Sequence, residues 1–114
     1  MQDASEFADC ARRLKALADP ERLKIIDLLF AGAKNVSDLA TELGAEIVNV
    51  SHHLGVLRNA GLVRVERQGR FMIYSLAPDI VTPPASESGK HLDLGCCSFD
   101  LTAGADKKPG GNKK

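Results

Sequence analysis

The 114-residue sequence predicts a mainly α-helical domain carrying a β-hairpin wing, a winged helix-turn-helix, followed by a short C-terminal extended or β segment. Three observations predict it. Val50, Leu54 and Leu57 recur at the i, i+4, i+7 spacing of an amphipathic helix, and Gly61 stands where a left-handed residue would end that helix. Leu62 to Glu66 alternates apolar and polar. Beyond the turn signal Gln68-Gly69, Phe71, Ile73 and Ser75 alternate against Met72, Tyr74 and Leu76. Finally, Gly44 separates two short helical patterns, the arrangement of a helix-turn-helix.

A first helix is expected near residues 5 to 18, where Phe7, Cys10, Ala11, Leu14, Leu17 and Ala18 form one apolar stripe. Asp19-Pro20-Glu21 starts a second, with Asp as N-cap, Pro in the first turn and an acid beside the helix dipole. That helix should run to about Ala31 and be central to the core, because Leu23, Ile25, Ile26, Leu28, Leu29 and Phe30 make it apolar on most sides. Ser37 is expected to cap a third helix over 38 to 43, and a fourth spans roughly Glu46 to Asn59. The domain so defined covers residues 1–78. A Pro/Ser-rich linker (79–90), a Cys-containing sensing segment (91–102) and a disordered tail (103–114) follow. Within the sensing segment Leu92 and Leu94 share one strand parity, whereas Cys97, Phe99 and Leu101 share the other. The slip at Gly95-Cys96 predicts a bulge or bend holding two adjacent thiols.

Composition excludes several classes of function. No apolar run approaches 18 residues, so no membrane span is expected. The acidic start lacks an apolar core of a secretion signal, which predicts a cytoplasmic protein. No nucleophile, base and oxyanion-binding set is visible, so catalysis is not expected. The net charge is zero, yet residues 58 to 70 hold Arg58, Arg64, Arg67 and Arg70 against Glu66 alone, a local net of +3. Phosphate attraction follows that local field. The fourth helix carries Asn49, Ser51, His52 and His53, small donors and acceptors of the kind that reach base edges, with the apolar Ile47 and Val48 near its start to meet thymine methyls. An ordinary solvated face would carry a Lys/Glu mixture instead. Adjacent helical histidines point about 100° apart, so His52 and His53 do not readily share one metal ion. Arg67, Gln68 and Arg70 at the hairpin tip suit backbone or minor-groove contact.

Cys96 and Cys97 are consecutive, and Cα atoms about 3.8 Å apart are too close for an ordinary disulfide. Such a pair suits ligation or reversible oxidation. Cys10, on the first helix's stripe, fits either a buried small hydrophobe or a third ligand, and His91 and Asp93 could add a ligand.

Asp19-Pro-Glu-Arg-Leu-Lys-Ile-Ile, Val50-Ser-His-His-Leu, Leu57-Arg-Asn-Ala-Gly-Leu-Val, Arg67-Gln-Gly-Arg and Tyr74-Ser-Leu, in that order, resemble the ArsR/SmtB family of metal- and metalloid-responsive repressors over about residues 5 to 78. The resemblance implies a homodimer that holds double-stranded operator DNA without ligand and leaves it when an ion binds. It implies operator contacts by Ser37, Val48, Asn49, Ser51, His52 and His53 of the helix-turn-helix and by Arg67, Gln68 and Arg70 of the wing. Two departures stand out. The family's thiol-containing box is here Asn35-Val36-Ser37-Asp38-Leu39, without cysteine, and its long C-terminal helix is replaced by the linker and the Gly95-Cys96-Cys97 segment. The inducer site must therefore be new, with Cys96, Cys97 and Cys10 as ligands. Three thiolates suit trivalent arsenic or antimony first, then Cd, Pb or Cu(I). Two other readings stay open: a thiol-based redox or persulfide switch that binds no metal, and an architectural DNA-binder that does not switch.

Overall fold

The computed structural model describes residues 4–81 and 89–101. The expected tail and most of the expected linker lie outside the described residues. Helix α1 is Ala4–Leu17 and α2 is Pro20–Leu29. Asp19, extended at φ −156°, accepts the backbone N–H groups of Glu21 and Arg22 at 3.0 and 3.1 Å, and Pro20 occupies the first turn where its missing N–H costs nothing. A two-residue strand β1 (Lys34–Asn35) leads into α3 (Val36–Leu43), then α4 (Ile47–Asn59), β2 (Val63–Gln68) and β3 (Phe71–Leu76). A 3-10 turn, Pro78–Ile80, and two short strands, β4 (His91–Asp93) and β5 (Ser98–Asp100), complete the order. The first three strands form one antiparallel sheet in the order β1-β3-β2, and β4 pairs β5 separately.

One apolar core unites these pieces. Ile25 and Ile26 of α2, Leu39 of α3, and Val50, Leu54 and Leu57 of α4 are fully buried. At about 1.5–3 kcal/mol for each large apolar side chain removed from water, this seam dominates the stability of the domain. Gly61 ends α4 at φ +78°, a conformation that a Cβ would strain, and frees the chain to enter β2.

Several expectations are corrected. Asn35, not Ser37, caps α3: its side chain accepts from the Asp38 N–H at 2.8 Å. Pairing of Lys34 with Tyr74 and Asn35 with Ile73 holds the backbone extended up to that point, so the helix begins at Val36 and Ser37 lies exposed in its first turn. Helix α2 ends at Leu29 rather than Ala31. The wing loop is Gly69-Arg70, because Gln68 pairs with Phe71 across the ladder, and only Gly69 has positive φ, as a two-residue type II′ turn requires. The apolar core does not stop at residue 78, since Ile80, Leu92 and Leu94 are buried in it. Finally, the phase slip at Gly95-Cys96 is a full chain reversal. Leu92 pairs directly with Phe99, and the Leu94 N–H bonds the Cys97 carbonyl at 2.8 Å, closing a four-residue turn.

The Asp19 cap carries a pH signature. The N–H of Arg22 first, then the charge of Arg22 and the N–H of Glu21, hold its pKa below the ordinary carboxylate value against partial desolvation. A depressed folded pKa means the stabilisation is present above the unfolded value and lost as pH falls through the folded one. Asp19→Asn keeps an acceptor without the ionisation. Its melting temperature should therefore fall less steeply than the parent's below about pH 4; parallel profiles would remove Asp19 from the acid limb.

Candidate functional site

Burial of Val50, Leu54 and Leu57 turns the opposite side of α4 outward. Ile47 and Val48, at the helix start, are 53% and 71% exposed, and Asn49, Ser51 and His52 are exposed with them. His53 is placed differently. Its Nδ1 lies 3.1 Å from an Arg22 guanidinium nitrogen, and its Nε2 lies 3.4 Å from Glu21 and 3.9 Å from Asp19. A guanidinium only donates, so Nδ1 accepts and the ring hydrogen sits on Nε2, facing the carboxylates. Arg22 also donates to the Ala16 carbonyl at 2.6 Å. His53 thus ties α4 to the start of α2, and its ring is tilted 54° from that of His52.

The wing tip is a strip of exposed polar and cationic groups: Arg64, Glu66, Arg67, Gln68 and Arg70. Among the described residues neither Arg67 nor Arg70 makes an ion pair. Phe71 and Met72, 52% and 41% exposed, stand beside them. Alternation in the sequence assigned these two to opposite faces of the strand but could not show that a two-stranded wing buries neither face near its end.

The third cluster joins the two ends of the described chain. Cys10 of α1, 1% exposed, is disulfide-bonded to Cys96, 86 residues away. Cys97, exposed, has its Sγ 3.9 Å from that of Cys10. All three sulfurs lie within 4.8 Å of one another. Sulfurs bound at about 2.3 Å to one ion sit roughly 3.5–4 Å apart, so with the disulfide reduced the set fits a single thiophilic ion. The β4–β5 hairpin holds the thiols there: the Gly95 N–H donates to Asp93 at 2.9 Å, and Lys90 anchors the hairpin foot to Asp27 of α2 at 2.6 Å. His91 is not part of the set. It sits at the other end of the hairpin, 2.6 Å from Asp100.

Sequence reasoning missed Arg13. Its Nε donates to the Ala60 carbonyl at 3.2 Å, one terminal nitrogen reaches the Leu94 carbonyl at 3.5 Å, and the other reaches Asp79 at 3.4 Å. A single Arg on the polar edge of α1 gives no sequence signal, since all three partners are far away in the chain.

Comparison with known proteins agrees with the winged helix-turn-helix fold. Residues 19–65 match the family described as bacterial regulatory protein, arsR family. The HTH-type transcriptional regulator NmtR of Mycobacterium tuberculosis is 42% identical over 105 residues, which cover 90% of this chain and 88% of that protein. A homodimeric winged helix-turn-helix DNA-binding domain from Mycobacterium bovis superposes with a TM-score of 0.64 at 37% identity, covering 68% of this chain and 73% of its own. Reduced HlyU from Vibrio cholerae superposes with a TM-score of 0.60 at 30% identity, covering 64% of this chain and 77% of that one.

Closure of Cys10 on Cys96 leaves Cys97 as the free thiol. Thiol titration of the unfolded chain should count one reactive group per chain after mild oxidation and three after reduction. Oxidised Cys97→Ser should count none. Two free thiols in oxidised Cys97→Ser would break the assigned pairing.

Proposed function

This chain belongs to the ArsR/SmtB family of winged helix transcriptional regulators, and from that premise we propose that it is a dimeric repressor released from its operator by a thiophilic ion, arsenite or antimonite first. The observation that carries the reading is the convergence of Cys10, Cys96 and Cys97 within 4.8 Å from two distant segments. In the reduced protein, arsenous acid condenses with three thiols. Three As–S bonds form, three water molecules leave, and no electrons are exchanged. Trivalent arsenic needs no fourth ligand; Cd, Pb and Cu(I) also favour thiolate and are the next choices.

On DNA, the exposed face of α4 reads base edges while the wing holds the backbone. Asn49, Ser51 and His52 supply the polar contacts and Val48 an apolar one, with Ser37 at the start of α3 toward the phosphates. His53 acts indirectly, by fixing α4 against Arg22. Phe7 and Leu14 remain 61% and 44% exposed on α1 although they belong to its apolar stripe, which favours α1 as the dimer-forming surface.

A redox reading is favoured by one observation, the Cys10–Cys96 bond itself. There, two thiols give up two electrons and two protons to a peroxide, which becomes water. Release by peroxide of ion-free protein, with no ion bound by the reduced form, would select this reading over the first.

An operator is obtained by selecting from randomised duplexes with the reduced chain. Cys96→Ser and Cys97→Ser should bind it as the parent does and fail to release on arsenite; release at the parent's concentration would end the thiolate model. Arg67→Ala or Arg70→Ala should weaken operator and random DNA alike and lower the salt slope by roughly one unit for each phosphate no longer neutralised. Alanine at Asn49, Ser51 or His52 should instead cost about 1–3 kcal/mol on the operator alone. Unaltered discrimination in all three would move the reading face elsewhere.

A further inference from the structure

The thiol cluster and the end of the DNA-facing helix share one side chain. Arg13 lies three residues after Cys10, on the same side of α1. Its guanidinium bridges the carbonyl of Ala60, the C-cap of α4, and the carbonyl of Leu94, the residue that opens the thiol-bearing turn. Asp79 accepts from the remaining end of the fork, so the charge is balanced without loosening either carbonyl contact. The site of Gly61 is equally tight, since a Cβ there would stand 3.3 Å from the guanidinium.

From this the geometry points to Arg13 as the positioning residue that couples the state of the Cys10–Cys96–Cys97 cluster to the orientation of α4. The coupling rests on the switch proposed above. Drawing three sulfurs around an ion, or joining two of them, moves the Gly95-Cys96-Cys97 turn relative to α1. Leu94 immediately precedes that turn, and its N–H is bonded to the Cys97 carbonyl. Its contact with Arg13, at 3.5 Å, is at the outer limit of a hydrogen bond, so a displacement of about 0.5 Å breaks it or shortens it to full strength. A guanidinium is rigid and planar, so a change at one nitrogen is transmitted to the others. Here Nε holds the C-cap of α4, where carbonyls lack partners within the helix and are most easily re-aimed.

The experiment compares the full-length parent, Arg13→Gln and Arg13→Lys. Each is measured on the selected operator with the cluster open (reduced, ion-free) and closed in two ways, by arsenite and by peroxide oxidation. The parent's open-to-closed affinity ratio is expected within the roughly 5–150-fold range usual for allosteric coupling. In Arg13→Gln the ratio should fall to within about twofold of one, while arsenite stoichiometry is unchanged and open-state operator affinity stays within about threefold of the parent. Amide exchange at Ala60 to Leu62 should respond to closure in the parent and not in the variant. Arg13→Lys keeps the charge and the stem but cannot span two carbonyls with fixed geometry. It too should lose the ratio, and it serves if Arg13→Gln does not fold. Retention of the parent's ratio in the folded variants overturns the coupling role, as does loss of operator affinity in the open state matching a lowered melting temperature. A parent that responds to peroxide and not to arsenite removes the ion reading and leaves the Arg13 test intact. A parent that responds to neither removes switch and coupling together.

Discussion

The burial of Val50, Leu54 and Leu57 against Ile25, Ile26 and Leu39 is the constraint on which the molecule depends. A helix can direct a chosen face outward only if its other face is held, and here three fully buried side chains on adjacent turns hold α4. Everything on the opposite side, from Ile47 to His52, is displayed because of them. The wing depends on the same seam, because Leu62 and Val63 are buried in it and start β2 in a set direction. The Ala77 N–H bonds the Leu62 carbonyl at 3.0 Å, so the returning strand is also tied to this point.

A second layer of organisation comes from the C-terminal hairpin, which has little internal structure of its own. A hairpin of three residue pairs cannot stand alone in water. Its stability is borrowed from the domain through buried Leu92 and Leu94, the Lys90–Asp27 pair and the sulfurs on Cys10. This makes the hairpin responsive by construction. Groups holding it to α1 are few, and one of them is chemically alterable. The Asp19 cap and the His53–Arg22 contact tie the start of α2 to α4.

Much of the fold was legible in the residues because helix periodicity, strand alternation and turn chemistry are local signals. Asp19-Pro20, Gly44 and Gly61 mark boundaries through backbone constraints that operate wherever the chain sits. Where reading failed, the competing cause was non-local. Asn35 and Ser37 are both competent caps, and pairing of Lys34 and Asn35 with β3, more than 35 residues on, decided between them. Gly95-Cys96 signals a break in phase equally well as a bulge or a reversal, and only the Leu92–Phe99 pairing separates the two.

The thiol site divides in the same way. Adjacency of Cys96 and Cys97 excludes an ordinary bridge between them and marks the pair as chemically special from covalent geometry alone. Partnership with Cys10 needs a long-range contact that no sequence pattern encodes, and it exists because the hairpin's leucines share the buried core with Cys10. Arg13 is the extreme case. The sequence by itself determined the helices, the wing, the basic strip and the unusual cysteine pair, since each rests on residues within a few positions of one another. Only the tertiary structure decided that His53 turns inward, that Cys10 meets the C-terminal hairpin and that Arg13 touches both that hairpin and the end of α4, because those contacts are set by how separately specified elements share one core.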